Sequence, residues 1–217
     1  MKLKNKKYLY FSVFMLVSFF IWTALVCTVD VKAVGPLESK VGFSAVNSFM
    51  HNLFGVHMTL YTLTDWLSII PAFIIIGFGL LGFVQLVSRK SLLKVDKDIL
   101  TLGGFYIIVL ILYIIFEILV INYRPVLIND KLEASYPSST TMLVMCVMPT
   151  AMMQFKKRIR NKTINKAVYV MTAVFTVFMV VCRMVSGVHW FSDIIGGLLV
   201  SCGLVALYYY FYEIQNK

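Results

Sequence analysis

The sequence predicts an all-α, polytopic membrane protein: one bundle of six transmembrane helices with both termini in the cytoplasm. Three observations predict it. The 217 residues are 60% hydrophobic and only 14% charged, against roughly half and about a quarter in a soluble domain, and the mean hydropathy is +0.85. The apolar residues gather into six runs, about 8–29, 66–87, 99–121, 139–155, 167–186 and 190–212. Each is close to the roughly 20 residues that cross about 30 Å of hydrocarbon. The fourth is short and the last two are nearly fused. The chain shows no linker, repeat or low-complexity stretch, so 1–217 reads as a single membrane domain with its core at about 66–212.

The third observation is the placement of charge. The net charge is +10. In a soluble chain that excess suggests nucleic acid, but here the cations sit between apolar runs, so no nucleic-acid partner is expected. The N-terminus, residues 88–98, residues 156–166 and the C-terminus hold 15 of the 20 Lys and Arg. Lys32, Lys40, Arg124, Lys131 and Arg183 make up the opposite set. Lys- and Arg-rich loops stay in the cytoplasm. This places loops 30–65, 122–138 and 187–189 outside, an alternation that six spans satisfy and five or seven break.

The first run follows Lys2, Lys4, Lys6 and Lys7, and Val31-Lys32-Ala33 resembles a signal-peptidase site. Tyr8 to Val29 is longer than the usual apolar region of a signal peptide, so an uncleaved anchor is expected. The outer loop 30–65 mixes Phe49, Leu53, Phe54 and Val56 with polar residues, as an amphipathic helix at the interface does. His51 and His57 within it read as interfacial or solvated. The last run ends in Tyr208, Tyr209, Tyr210, Phe211 and Tyr212, aromatics suited to the membrane–water boundary. Cys27, Cys146, Cys182 and Cys202 lie in or beside apolar runs without C-x-x-C spacing, which fits packing residues better than a disulfide framework or zinc site.

Ionisable residues in a span are costly and mark functional sites. Here they collect at the outer ends of the third, fifth and sixth runs: Glu117, Arg124, Arg183, His189 and Asp193. Between them Tyr136-Pro137-Ser138-Ser139-Thr140-Thr141 opens the fourth run. His189 and Asp193 are four apart and share a helical face. An aspartate there can accept from one imidazole nitrogen, fixing the tautomer and freeing the other as base or nucleophile. Arg124 and Arg183 form a clamp for phosphate, and the start of the fourth helix adds N–H groups with the Ser138, Ser139 and Thr140 hydroxyls. This set describes phosphoryl transfer through a phosphohistidine. It calls for no cofactor and no metal, and no metal-ligand spacing is present. Taken singly, each part also has a structural reading: a polar pair, a helix end before Pro125, and an N-cap.

The same residues resemble the type 2 phosphatidic acid phosphatase superfamily of integral membrane lipid phosphatases. Its pattern runs K-x6-R-P, then P-S-G-H, then S-R-x5-H-x3-D. Arg183, His189 and Asp193 match the third part at full spacing, with Gly187 and the His189-Trp190 pair also typical. Arg124-Pro125 matches the end of the first part, and Pro137-Ser138 the start of the second. The resemblance covers roughly 117–203. It implies His189 as nucleophile, Asp193 as its orienting partner, and Arg124, Arg183 and Ser138 as phosphate ligands, at the extracytoplasmic face of the cell membrane.

Three positions depart from the pattern. The first lysine falls at Glu117, the glycine and histidine of the second part at Ser139 and Thr140, and the serine of the third at Cys182. The family's second-part histidine protonates the leaving group, and an aliphatic hydroxyl is too weak an acid to replace it. An alkoxide leaving group needs that proton far more than a phosphate does, so Thr140 tilts the substrate towards a lipid diphosphate such as a polyprenyl carrier. Glu117, seven residues before Arg124 and on the same face of a continuous helix, reads as an arginine's ion-pair partner or as a protonated hydrogen-bond donor or acid. The leading expectation is a membrane lipid phosphatase acting on a lipid phosphate or polyprenyl diphosphate. The competing one is a weakened relative that binds a lipid phosphate without turnover. A transporter finds no inverted repeat, and the related vanadium haloperoxidases are soluble. Gly196, Gly197, Ser201 and Gly203 fit close helix packing either within one chain or between two, which leaves the oligomeric state open.

Overall fold

The computed structural model describes residues 2–215. Its helices are α1 (Lys2–Thr28), α2 (Ser44–Phe54), α3 (Met58–Leu67), α4 (Ile69–Arg89), α5 (Lys97–Ile118), α6 (Ser139–Arg158), α7 (Lys162–Val185) and α8 (Phe191–Gln215). A short antiparallel pair, β1 (Lys32–Ala33) and β2 (Lys40–Val41), lies between α1 and α2.

Five segments among the described residues are long and apolar enough to cross a membrane: Lys6–Thr28, Met58–Arg89, Lys97–Ile118, Lys162–Val185 and Phe191–Gln215. The protein is therefore a multi-pass helical membrane protein. The second segment starts earlier than the expected 66–87, because α3 leads into α4 with a break at Ser68. Pro71 has no N–H to offer the Leu67 carbonyl, which explains why the ladder is interrupted there.

The fourth expected run forms α6 but is too polar to count as a span by composition. Its position explains this. α6 packs against α4, α5, α7 and α8, so it faces protein rather than lipid and can carry hydrogen-bonded polar side chains. Thr140, Thr141, Thr150 and Gln154 on it are all buried. Phe14, Phe20, Phe73, Leu80 and Val174 on the outer helices stand exposed, as lipid-facing side chains do.

α8 is the other central element, and its small residues admit neighbours inside the same chain. A Cβ on Gly203 would lie 2.8 Å from Leu16 of α1, and one on Gly196 would lie 2.6 Å from the Tyr136 ring. The Ser12 hydroxyl donates to the Gly203 carbonyl at 2.8 Å, and Trp22 Nε1 donates to the Ser192 carbonyl at 3.1 Å. Of the two packing readings of the glycine stripe, the one within the chain is thus realised.

At the opposite end of the bundle Asp98 is 4% exposed. It pairs with Lys157 at 3.0 Å and Arg158 at 3.3 Å, and the Gln154 amide donates to Tyr208 Oη at 2.6 Å. This network ties α5, α6 and α8 together. Asp98→Asn is expected to destabilise the chain by about 2 kcal/mol, because it removes the buried carboxylate from its ion pairs with Lys157 and Arg158. Thermal unfolding in detergent reads the loss.

Candidate active site

The site forms where α7 ends, α8 begins and the 119–138 segment folds over both. Gly187 makes the turn from α7. Its φ is +66, and a Cβ there would sit 1.9 Å from the Gly55 carbonyl oxygen, so only glycine fits beneath the α2–α3 loop. The turn delivers His189, 4% exposed, just ahead of α8.

The 119–138 segment is an irregular hairpin. Arg124 N donates to the Glu133 carbonyl at 3.0 Å, and Ser135 N donates to the Asn122 carbonyl at 2.9 Å. Alternate residues of an extended strand share one face. Asn122, Arg124 and Ser135 meet His189 and Asp193, and Glu133, across from Arg124, meets the guanidinium. This corrects the expected continuous helix through Glu117 and Arg124. α5 stops at Ile118, and the residue before Pro125 is disfavoured in the helical region. Glu117 is exposed, and among the described residues the carboxylate paired with Arg124 is that of Glu133, Nε to Oε2 at 3.0 Å.

The geometry fixes the imidazole tautomer. Arg124 Nη1 lies 3.1 Å from His189 Nε2, and a guanidinium can only donate. Nε2 is therefore the unprotonated nitrogen, and Nδ1 carries the hydrogen, donated to the Ser135 carbonyl at 3.2 Å. Asp193 is not the direct acceptor expected from its spacing. Its Oδ2 stands 3.9 Å from Nδ1, beyond hydrogen-bond reach. The carboxylate is occupied elsewhere, because residue 193 is the third of α8 and reaches back to the Trp190 N–H at 2.9 Å, as a capping-box carboxylate does. It also accepts from Asn122 Nδ2 at 3.0 Å and from the Ser135 hydroxyl. Asp193 thus orients His189 through Ser135.

Burial pushes the His189 imidazole well below its ordinary value, and the charges of Arg124 and Arg183 push it further. The downward shift favours the neutral ring, whose Nε2 lone pair accepts from Arg124 Nη1.

Arg183, at the end of α7, is 2% exposed. It donates to Thr64 Oγ1 at 3.0 Å and to the Tyr61 carbonyl at 3.4 Å, and Asp65 lies 3.8 Å away. The Tyr61 ring spaces the two guanidiniums, 4.6 Å from Arg183 Cζ and 5.8 Å from Arg124 Cζ. Both arginines line one cavity of about 390 Å³ together with Ser139 and Thr140 at the start of α6. His189 is not among the residues that line this cavity, and its Nε2 meets Arg124 Nη1. The Ser138 hydroxyl is buried away from this cavity and accepts the Thr141 N–H as an N-cap at 3.5 Å.

Below the arginines the cavity is walled by Ile75, Tyr106, Val109, Leu110 and Leu143. Ile75, Tyr106 and Leu110 also line an apolar groove of about 640 Å³ between α4 and α5. The polar head site and the apolar groove thus share these three side chains as a common wall. Sequence reasoning missed Asn122, Glu133 and Ser135, whose i, i+2 spacing within N-Y-R and E-A-S was the available signal. It also missed Tyr61 and Thr64, for which the sequence holds no signal.

No curated protein matches the sequence. A solved structure with similar architecture is the transmembrane PAP2-type phosphatidylglycerolphosphate phosphatase of Bacillus subtilis. The TM-score is 0.66 at 20% identity, over 94% of this chain and 97% of that one. The family model of the PAP2 superfamily matches residues 104–217, more than half of the chain, from within α5 through α8, and this chain belongs to that superfamily.

Proposed function

We propose that the protein is a lipid phosphatase that removes phosphate from a lipid phosphate or polyprenyl diphosphate at the extracytoplasmic face. The observation that carries this reading is the His189 ring, held with Nδ1 as donor and Nε2 unprotonated, accepting from Arg124 Nη1 beside a second guanidinium. On substrate binding Arg124 transfers its Nη1 hydrogen bond from Nε2 to the phosphate. Nε2 then attacks phosphorus, the bond from phosphorus to the leaving oxygen breaks, and Arg124 and Arg183 carry the equatorial charge. Water next attacks the phosphohistidine, releasing inorganic phosphate and restoring neutral His189. The positive-inside count supports six spans, cytoplasmic termini and an outward-facing site. The steps route through no metal.

Thr140 on the cavity wall supports a diphosphate substrate, since the leaving phosphate departs with little need of a proton. The α4–α5 groove supports a long apolar chain. The structural neighbour acts on phosphatidylglycerolphosphate, so a monoester belongs in the test. Phosphate release is measured from phosphatidic acid, phosphatidylglycerolphosphate and a polyprenyl diphosphate, in detergent. The diphosphate is expected to be turned over fastest, and equal rates on all three would remove the role given to Thr140. Thr140 and Glu117 also favour a second reading, a binder without turnover, and release from none of the three substrates would favour it.

A further inference from the structure

α2 has two opposed faces. Ser44, Asn47 and His51 point inward, with Ser44 and Asn47 buried and the His51 ring 5.5 Å from Trp190. Val46, Phe49 and Leu53, at the same i, i+3, i+7 spacing, are 49%, 65% and 62% exposed. The helix is anchored at the point where α1 leaves its apolar span. A Cβ on Gly42 would lie 1.6 Å from the Val26 carbonyl. Phe43 N donates to the Val29 carbonyl at 2.8 Å, and the Asp30 carboxylate accepts the Ala45 N–H at 2.7 Å and the Ser44 hydroxyl at 2.9 Å. α2 therefore lies at the end of a transmembrane helix, with a stripe of large apolar side chains uncovered at that level. The chemistry that matches such a stripe is interfacial lipid.

The inward face reaches the site. Asn47 is 1% exposed and makes three hydrogen bonds. Its Nδ2 donates to the Gly42 carbonyl at 2.7 Å and to Ser192 Oγ at 2.9 Å, and its Oδ1 accepts from Ser192 N at 3.0 Å. The Ser192 hydroxyl lies 3.4 Å from Asp193 Oδ1, the oxygen that also accepts from Asn122. One buried amide thus joins the base of α2, the first turn of α8 and the carboxylate that holds Ser135 against His189. Asn47 lies outside the family-matched residues 104–217.

We propose that α2 is a membrane-contact helix whose Val46–Phe49–Leu53 stripe rests in interfacial lipid on the His189 side, and that Asn47 on its opposite face is a positioning residue linking this contact to Asp193 through Ser192. The inference rests on the phosphatase reading for its kinetic arm only. A loosened Ser192 leaves Asn122 as the remaining partner of Asp193 Oδ1, so the carboxylate is less firmly held and moves closer to Nδ1–H, which favours the imidazolium.

The full chain is compared with Asn47→Leu, Ser192→Ala and the double variant Phe49→Ser/Leu53→Ser. Turnover of a short-chain prenyl diphosphate in detergent and in phosphatidylcholine–phosphatidylglycerol vesicles is measured, alongside the ¹⁵N resonances of His189. Asn47→Leu is expected to lower kcat by up to about 100-fold with KM nearly unchanged, and to move the acid limb and the His189 titration to higher pH. Ser192→Ala moves both in the same direction by less. Phe49→Ser/Leu53→Ser keeps its activity in detergent and loses several-fold on vesicles. An unchanged pH profile and His189 titration in the folded fraction of Asn47→Leu and Ser192→Ala would overturn the link. Equal activity of the double variant in both media, or a changed oligomeric mass, would overturn the lipid contact. Absence of turnover in the parent chain removes the phosphatase reading alone, because the His189 resonance still reports on Asn47.

Discussion

Replacing His189 with alanine is expected to lower phosphate release by about 10⁴-fold or more, leaving only what the arginines achieve by holding the phosphate. The size follows from the path. Without Nε2 no covalent intermediate forms, and water must attack the phosphate directly with no residue placed to activate it. The loss has to be separated from a folding effect, since the substitution leaves Arg124 Nη1 and the Ser135 carbonyl without their imidazole partner, at about 1–3 kcal/mol. Two controls do so. Thermal unfolding gives the folded fraction, and added imidazole, entering the vacated space, restores part of the rate only if the missing group is the nucleophile.

The pH profile supplies an independent check on the same residue. The folded imidazole titrates well below its ordinary value, with burial as the main cause and Arg124 and Arg183 as the next. The reactive form is the neutral ring. Activity is therefore expected to hold as pH falls through 6.5, where an ordinary histidine would protonate and fail. Removing the Arg124 charge takes away one of the groups opposing protonation, so the acid limb of Arg124→Ala should move to higher pH. A parent profile that declines with a midpoint at 6.5 would show that His189 is solvated during turnover.

Much of this site is legible along the chain because its central piece is contiguous. Arg183, His189 and Asp193 lie on the last turn of one helix, a glycine turn and the first turn of the next, so their spacing in sequence fixes their spacing in space. The rest is assembled from distant segments. The expected bond from Asp193 to the imidazole fails because a carboxylate at the third position of a helix finds the backbone N–H of Trp190 first. The pairing of Arg124 with Glu133, not Glu117, depends on where α5 ends, and apolar residues continue past Ile118 without a sequence break before Pro125. The hairpin that follows has no hydrophobic period to reveal it. α6 shows the converse case: its short and comparatively polar run marks a helix surrounded by other helices.

Arg183→Ala is expected to lower kcat/KM by about 10³-fold, the scale of losing one preorganised donor group at a developing charge. What makes Arg183 effective is that its geometry is set before substrate arrives. Thr64 Oγ1 holds one guanidinium nitrogen at 3.0 Å, and the Tyr61 ring lies 4.6 Å from Cζ, so the fork does not have to be ordered during the reaction. Arg183→Lys keeps the charge and loses both the planar fork and its stacking on Tyr61, and it should recover only a minor part of the rate. Thr64→Val leaves the charge and the ring contact and removes one acceptor, so a loss of roughly 10-fold is expected. Asp65→Ala tests the opposite limit. Its carboxylate is 59% exposed and 3.8 Å from Arg183, and solvent-screened pairs of this kind contribute about 0–1 kcal/mol, so the variant should stay within a few-fold of the parent. The order Ala, Lys, Val, Asp65→Ala, from most to least damaging, follows if preorganised hydrogen bonding holds Arg183 in place. If net charge near the phosphate were what mattered, Lys would rescue fully and Asp65→Ala would raise the rate. Steady-state kinetics on the four variants, each corrected for folded fraction, distinguishes the two.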